Sequence, residues 1–519
     1  MPKVVIDNRE VEVEQHCTIL DAARKLGIEI PTLCFLEGCS PSTSCMVCLV
    51  KLKDQDELVP ACAMKVVDGM VVESETEEVH QARKTSLELL LGDHLGDCEA
   101  PCHVACPAHM NIPLMIRQIA AGRLAEAIVT VKQDIPLPAV LGRICPAPCE
   151  RACRRSNKDE AVSICLLKRI VADVDLAAAE PYLPPRKPDK GKAVAIVGAG
   201  PTGLSAAYYL LQQGYACTLL DEHAEPGGML RYGVPAEKLP PSVLKAEIEI
   251  IRRLGAEFRM GVRVAADPSL EDLKNEFDAV LVAVGQVKDS PETLGLRASP
   301  TGIQISRKTF QASADGVFAG GDAVRASRLS VRAVADGKAA ATCIDQYLCG
   351  LEVAAPERPF STHMGKLTQV EVEALMAGVS PSPRASAEAE EGLTRQQAGA
   401  EAARCLHCDC RKGDSCKLRE YAEAYGARTG RHKGQRRSFE QYADHREVIY
   451  EPGKCIACGL CVQIAAAAGE PLGLTFVGRG FNIRVAVPFG KSLADGLTRS
   501  AAKCVAACPT GALAFKRDE

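Results

Sequence analysis

The sequence predicts a multidomain protein of α/β and α+β class: a small β-rich domain, a helical domain, an open Rossmann-like α/β domain and a small C-terminal domain. Three observations carry this expectation. A chain of 519 residues is too long for a single core. Its 25 cysteines, apart from Cys17, Cys217, Cys343 and Cys349, are bunched in five short groups. Residues 192–223 read as a strand, a Gly-rich turn, a helix and a second strand, and strands and helices continue to alternate to about residue 350.

In chain order, residues 1–80 read as short strands and one helix around a cysteine-rich loop, followed by the helical pattern of HQARKTSLELLLGDH. Residues 81–185 set cysteines in turns between amphipathic helices, and EPYLPPRKPDKGK reads as a linker. Residues 186–355 form the α/β domain. Residues 356–445 are a connector with its own cysteine group, including an exposed, partly disordered stretch at about 376–400. Residues 446–519 close the chain with the last cysteines.

Composition excludes several function classes. Lys+Arg number 62 against 66 Asp+Glu, for a net charge of -4, and neither sign forms a block suited to nucleic acid or an anionic membrane. The apolar runs Ala193–Val197 and Ala279–Val284 fall far short of the roughly 18 residues that span a bilayer. The start, MPKVVIDNREVEVEQHCTIL, reads as a strand rather than a signal peptide, so a cytoplasmic location is expected. Cysteines in a reducing compartment are better read as metal ligands than as a disulfide framework.

The segment KAVAIVGAGPTGLSAAYYLLQQGYACTLLDEH carries a dinucleotide-binding pattern. Gly198 makes the tight turn, Gly200 admits the pyrophosphate and Gly203 lets helix and strand pack closely. Asp221 ends the second strand and is the ribose ligand, with Glu222 as the fallback. The same pattern also occurs in Rossmann-like domains that hold no nucleotide. Two further motifs, GGMLRYGVP at 227–235 and GVFAGGDAV at 316–324, make the whole resemble the FAD domain of the glutamate synthase small subunit family. That resemblance implies FAD, with Gly227, Gly228, Arg231, Gly321 and Asp322 in the site. It also implies that Asp322 holds the ribityl chain and that a helix starting near Ser330 aims its N-terminus at the flavin. In the family, a second domain that binds NAD(P)H lies between the motifs matching DAVLVAVG and GVFAGGD. Here only residues 286–315 separate them, and no second GxGxxG occurs. The nicotinamide site is therefore expected to be deleted.

Cys34, Cys45, Cys48 and Cys62 have the spacing C-x10-C-x2-C-x13-C. This resembles the [2Fe-2S] domain, a ferredoxin-like β-grasp, at the start of the large iron-sulfur subunit of complex I and of related hydrogenase and formate dehydrogenase subunits. Cys39 is either a free thiol or a substitute for Cys34, and zinc is the competing metal. Cys98, Cys102 and Cys106, followed by Cys145, Cys149 and Cys153, resemble the helical double-cluster domain of the glutamate synthase small subunit family. That implies two [4Fe-4S] clusters, one on Cys98, Cys102 and Cys153 and one on Cys106, Cys145 and Cys149. Each lacks a fourth ligand. For the first, His94 stands in a setting like that of complex I, and an ordinary surface histidine is the other reading. For the second, relatives use Gln or Glu where this sequence has Lys168; Cys165, on the same helix face, is either the ligand or a buried spectator. Cys405, Cys408, Cys410 and Cys416, within twelve residues, suit one [4Fe-4S] cluster, with zinc as the alternative. Cys455, Cys458 and Cys461 with Cys508 complete a ferredoxin-like [4Fe-4S] site. A second such cluster would need Ala465, Thr498, Ala501 and Cys504, so Cys504 is a remnant.

The expectation is one FAD, one [2Fe-2S] and four [4Fe-4S] clusters, with no catalytic side-chain set and no complete substrate site. This suits an electron-transfer subunit of a multi-subunit, NAD(H)- and ferredoxin-linked oxidoreductase of an anaerobe, of hydrogenase, formate dehydrogenase or transhydrogenase type and open to electron bifurcation. Its expected partners are an NADH-oxidising FMN/iron-sulfur subunit, a catalytic subunit and ferredoxin. A self-sufficient NAD(P)H oxidoreductase and a zinc-stabilised scaffold are the alternatives.

Overall fold

The computed structural model describes residues 1–265, 267–286, 294–386, 392–432 and 434–516. They gather into two compact units, each assembled from separated stretches of chain. The first unit comprises Met1–Ala100, Pro359–Gly378 and Cys408–Glu519; the second comprises Pro101–Arg358 and Val379–His407.

The first unit opens with a mixed five-stranded sheet in the order Arg9–Glu12, Lys3–Ile6, Met70–Glu73, Leu49–Leu52, Glu57–Pro60. Short β-branched runs such as KVVI and MVVE favour these strands. Asp7 and Asn8, at φ 46° and 63°, reverse the chain between the first two, the backbone a two-residue hairpin turn needs. Lys3–Ile6 then pairs parallel with Met70–Glu73, which the helix Ile19–Lys25 makes possible by crossing between them. That helix starts on a capping box in which Thr18 and Asp21 bond reciprocally. It buries Ile19, Leu20, Ala22 and Ala23 against Val4, Ile6, Val50 and Val72. Full burial of each large aliphatic side chain contributes about 1.5–3 kcal/mol.

The predicted helix beyond the sheet spans Glu77–Gly92 and is capped by Thr76. Its Arg83 is fully buried, donating Nε–H to the Leu49 carbonyl and Nη1–H to the Tyr425 hydroxyl. Leu87 and Leu91 enter a second core with Leu33, Leu418, Ala422 and Leu460. The C-terminal part of this unit pairs Val448–Tyr450 with Leu513–Phe515 and Thr475–Val477 with Arg484–Ala486, both antiparallel. The helices Leu460–Ala467 and Ala501–Ala507 pack on it.

The second unit is built on a parallel sheet in the order Val317–Ala319, Ala279–Val282, Ala193–Val197, Ala216–Asp221, Ala256–Met260. Its continuous apolar strands suit burial on both faces. The helices Pro201–Gln212 and Ser330–Leu348 cross so closely that a Cβ at Gly337 would stand 2.3 Å from the Thr202 carbonyl oxygen. Ala279–Val282 and Val317–Ala319 are sheet neighbours, and among the described residues only the two-residue strands Ala298–Ser299 and Gly302–Ile303 lie between them. The helices Ile112–Ala120, Leu124–Asp134, Pro138–Ile144 and Ile164–Leu176 share a separate core.

The linker at 180–192 is irregular but pinned: Lys132 Nζ donates to the Tyr182 carbonyl, and Arg186 Nε to that of Leu211. Within the expected disordered connector, residues 387–391 lie outside the described residues; the helix Arg395–Ala402 follows them. Among the described residues no helix is long and apolar enough to cross a membrane.

Candidate cluster and dinucleotide sites

Cys34, Cys45, Cys48 and Cys62 are all at most 3% exposed, and their thiols hydrogen-bond to one another. The hairpin of Leu49–Leu52 with Glu57–Pro60 sets two of them side by side, the Ala61 amide donating to the Cys48 carbonyl at 3.0 Å. Cys34 and Cys45 arrive on a loop that turns through Thr43 and Met46, both left-handed. Hydrogen bonds from Cys45 and Cys62 push the Cys34 thiol down to about 2, and the bond to Cys34 pushes Cys45 up. The amides of Ser44, Cys45 and Val47 also point at the sulfurs, the arrangement that stabilises thiolate ligands. Cys39 is half-buried and packs against the same core as Cys34 and Cys45.

Cys455, Cys458, Cys461 and Cys508 line one small cavity with Tyr450 and Val485. Burial raises the Cys455 thiol to about 11 and Cys458 to about 12. The Ala457 amide donates to Cys455 Sγ at 3.4 Å from a left-handed turn. Cys504 is buried outside this lining, its thiol directed at the Cys461 carbonyl and Ser500.

Thr498, near the positions a second cluster would occupy, is committed elsewhere. Glu470 accepts hydrogen bonds from the amides of Thr498, Arg499 and Ser500 and from two hydroxyls. Against a desolvation that opposes them, these bonds hold its carboxyl at about 2. The folded pKa is depressed, so the stabilisation is complete above the unfolded value near 4.5 and is lost as pH falls toward 2. Glu470→Gln should cost about 1–2 kcal/mol at pH 7, discounted for partial exposure, in urea unfolding followed by circular dichroism. The deficit should shrink below pH 4.5; a constant deficit would exclude the carboxylate as its source.

A third grouping lies in the first unit. Cys98 accepts from the Thr362 amide at 3.5 Å, and its carbonyl accepts from the Cys410 amide at 3.2 Å. The thiols of Cys98, Cys410 and Cys416 act on one another electrostatically. A Cβ at Gly511 would stand 2.3 Å from Cys410 Sγ, so glycine is required there. His94 is half-buried, but its Nδ1 is shut away from solvent without a hydrogen-bond partner. Burial, then the Lys454 charge, lowers its pKa to about 4. A neutral imidazole with an orphaned nitrogen fits a metal ligand. Lys454 is itself buried and pairs with Glu451 at 2.5 Å.

In the second unit, Cys106 and Cys149 are buried in the helical core, with Cys102, Cys145, Cys153 and Cys405 packed against it. Cys165 lies on the helix Ile164–Leu176, where the Cys145 hydrogen bond lowers its pKa but Cys149 and burial raise it, to about 12. Its amide donates to Glu150, which Arg384 holds from the other side. Lys168 is buried and, against desolvation, kept protonated by Cys165, Cys145, Cys149 and Cys106 around it. Of the four cysteines 405–416, Cys405 lies in the second unit and Cys408, Cys410 and Cys416 in the first, where Cys410 and Cys416 act on Cys98.

The dinucleotide turn is made as expected. Gly198 is left-handed at φ 112°, a Cβ at Gly203 would meet the Gly198 oxygen at 1.9 Å, and one at Gly228 would meet Gly200 Cα at 2.8 Å. Gly227 and Gly228 are also left-handed, and Arg231 donates to the Pro226 carbonyl, keeping that turn in place. Gly321 is left-handed against Thr202, and Asp322 accepts from the Ser327 amide and hydroxyl. The helix from Ser330 begins where expected. Asp221 already accepts from the Ala199 amide at 2.7 Å and from the His223 amide and ring, while Glu222 is exposed and faces Arg263.

Sequence reasoning missed Lys454, Glu451 and Arg404, the buried ion-paired groups beside the cysteines. The signal available was a basic residue immediately before Cys455 and before Cys405.

Three family models match the chain in order. They are a 2Fe-2S iron-sulfur cluster binding domain over residues 3–77, the 4Fe-4S cluster domain II of dihydropyrimidine dehydrogenase over 73–180, and an NAD(P)-binding Rossmann-like domain over 196–248. The chain is 44% identical over 196 residues to the NADPH-Fe(3+) oxidoreductase subunit beta of Geobacter sulfurreducens, covering 37% of this chain and 29% of that protein. It is 40% identical over 207 residues to the NADP(+)-dependent formate dehydrogenase subunit beta of Moorella thermoacetica, covering 36% and 29%. It is 39% identical over 193 residues to the NADPH glutamate synthase small chain of Mycobacterium tuberculosis, covering 36% and 39%. The chain thus spans less than two-fifths of the length of each, and all three are oxidoreductases or subunits of them.

Proposed function

We propose that this chain, a homologue of iron-sulfur oxidoreductase subunits with 2Fe-2S, 4Fe-4S and Rossmann-like domains, is a cytoplasmic FAD- and iron-sulfur-carrying electron relay. It works within a multi-subunit NAD(H)- and ferredoxin-linked enzyme of formate dehydrogenase, hydrogenase or transhydrogenase type. Its partners are an NADH-oxidising FMN/iron-sulfur subunit and a catalytic subunit, and its flavin is the branch point at which electrons divide. The single observation that carries the reading is that Cys34 and Cys45, Cys416 and Cys458, from three separate cysteine groups, sit in one buried apolar core. Side chains that exclude water and hold sulfurs from three groups within one core suit a relay; isolated zinc sites have no need to share one.

The ligand sets are part of the proposal. Cys34, Cys45, Cys48 and Cys62 hold the [2Fe-2S] cluster, and Cys455, Cys458, Cys461 and Cys508 hold one [4Fe-4S]. His94, Cys98, Cys410 and Cys416 hold the second. Cys106, Cys145, Cys149 and Cys165 hold the third, with Lys168 balancing the charge of its thiolates. Cys102, Cys153 and Cys405 belong to the fourth. Gly198, Gly200, Gly203, Gly228 and Gly321 leave room for the FAD backbone. Once bound, these groups supply one-electron transfer and, at the flavin, exchange between one- and two-electron chemistry. The protein positions them and keeps the first unit's sites dry.

Anaerobically purified chain should contain about eighteen irons, the sum for one two-iron and four four-iron clusters, with one FAD. Iron and acid-labile sulfide near zero with zinc present would replace the relay with a scaffold. Rapid bleaching of the flavin by NADH or NADPH in the isolated chain would favour the self-sufficient oxidoreductase.

A further inference from the structure

The first unit carries a cleft of about 420 Å³ that shares only Cys508 and Pro509 with the cavity lined by Cys455, Cys458 and Cys461. One wall is Leu33 and Phe35, flanking Cys34. A second is the segment Arg411, Lys412 and Lys417 around Cys416. The floor reaches Cys508, and Phe515 closes the rim. The lining thus includes Cys508 and the immediate sequence neighbours of Cys34 and Cys416. Leu36 and Phe515 are 36% and 47% exposed there, and among the described residues the lining carries three cations and no acid. Lys412 is fixed in place by donating to the Val505 and Cys508 carbonyls. An apolar, cation-rimmed depression in direct contact with a cluster-ligand cysteine has the chemistry of a contact point for an anionic redox partner.

We propose that this cleft is the docking site for a small acidic electron-carrier protein. An apolar side chain of the carrier enters between Leu33, Phe35 and Phe515, while its carboxylates meet Arg411 and Lys417. One electron leaves the carrier's centre and one enters the cluster ligated by Cys508, or the reverse; no bond is made or broken and no proton is needed. The cleft holds one or two side chains, so the rest of the contact is the charged rim, and association should be electrostatically steered. This inference rests on the electron-relay reading above.

The test uses the full cluster-loaded chain and, as probe, a pre-reduced acidic ferredoxin carrying two [4Fe-4S] clusters, mixed anaerobically in a stopped-flow spectrometer. Wild type should be reduced in a second-order reaction whose rate falls steeply with salt. Arg411→Glu/Lys417→Glu should slow it about tenfold or more at low ionic strength and flatten the salt dependence. Lys417→Gln, a milder change at an exposed position, should move both in the same direction. Lys53→Glu, on the sheet of the same unit and outside the cleft, should leave the rate unchanged. Dithionite should reduce the clusters of all variants equally, showing that the sites are intact. Equal ferredoxin rates in wild type and the double variant would overturn the docking site, as would a wild type that dithionite reduces but ferredoxin does not. Competition by millimolar inorganic phosphate without any effect of the variants on ferredoxin would assign the cleft to a small anion and overturn it too. Iron near zero in wild type would instead sink the relay reading on which it depends.

Discussion

Cys98→Ser, Cys410→Ser and Cys416→Ser should each remove the same four-iron centre, lowering iron content by about four atoms per chain and erasing one and the same EPR signal. Cys98 is more than 300 positions from Cys410 and Cys416 in sequence, yet the Cys410 amide bonds to the Cys98 carbonyl and the three thiols act on one another. Cys405→Ser should leave that signal in place and extinguish a different one. His94→Ala should shift or broaden the signal shared with Cys98, because an imidazole ligand sets the potential of a centre that three thiolates still hold. If Cys405→Ser and Cys416→Ser erased the same signal, the cysteines 405–416 would form the single cluster that their spacing alone suggests.

Arg404→Ala should cost about 3–5 kcal/mol, the range for removing one partner of a buried ion pair. Arg404 is 1% exposed and donates to the equally buried Glu401 at 2.9 Å, to Asp159 at 3.0 Å and to the Ser382 and Glu160 carbonyls. The network continues through Arg155, which donates to the Arg404 carbonyl and to Asp159. Without the guanidinium, Glu401 keeps its bonds from the Ser163 and Ala385 amides but loses its counter-charge. Arg404 also immediately precedes Cys405. Thermal unfolding of the holoprotein should therefore move down, and the Cys405 centre should be lost while the [2Fe-2S] signal survives. Arg404→Lys should recover only part, because an ammonium does not reproduce the planar fork. A variant with unchanged melting and a full set of EPR signals would remove Arg404 from this role.

Much of the fold was legible because the signals were local. The Gly-rich turn at 198–203 requires glycine over six residues, and the parallel strands around it read as apolar runs. The spacing from Cys34 to Cys62 maps onto one loop and one hairpin, so chain distance and spatial distance agree. The cysteines at 405–416 show where that agreement ends. Four thiols within twelve residues are the obvious set by spacing, but the chain passes from one compact unit to the other inside that stretch. Ligand grouping then depends on which distant segment each thiol meets, and local spacing does not encode that. Asp221, expected to face a ribose, also accepts from the Ala199 and His223 amides, which tie the strand end to the Gly-rich loop, a second role the motif alone does not show. Buried charges such as Lys168 and Lys454 were equally hidden, since a lysine in sequence reads as surface until its surroundings are known.

The two cores of the first unit also differ in when they can form as the chain is made. The core beneath the N-terminal sheet uses only residues between Val4 and Met70 or Val72, so Cys48 and Cys62, which lie in it, can be buried soon after Val72 leaves the ribosome. The neighbouring core needs Leu87 and Leu91 together with Cys416 and Leu418. From 91 to 416 is 325 residues, roughly 16–65 s of synthesis at 5–20 residues per second. Through that interval Cys98 waits for Cys410, whose amide bonds to its carbonyl, while the second unit is being built. Burial of the cysteines is thereby ordered in time: Cys48 and Cys62 close first, whereas Cys34 and Cys45 share the core that Cys416 and Leu418 complete.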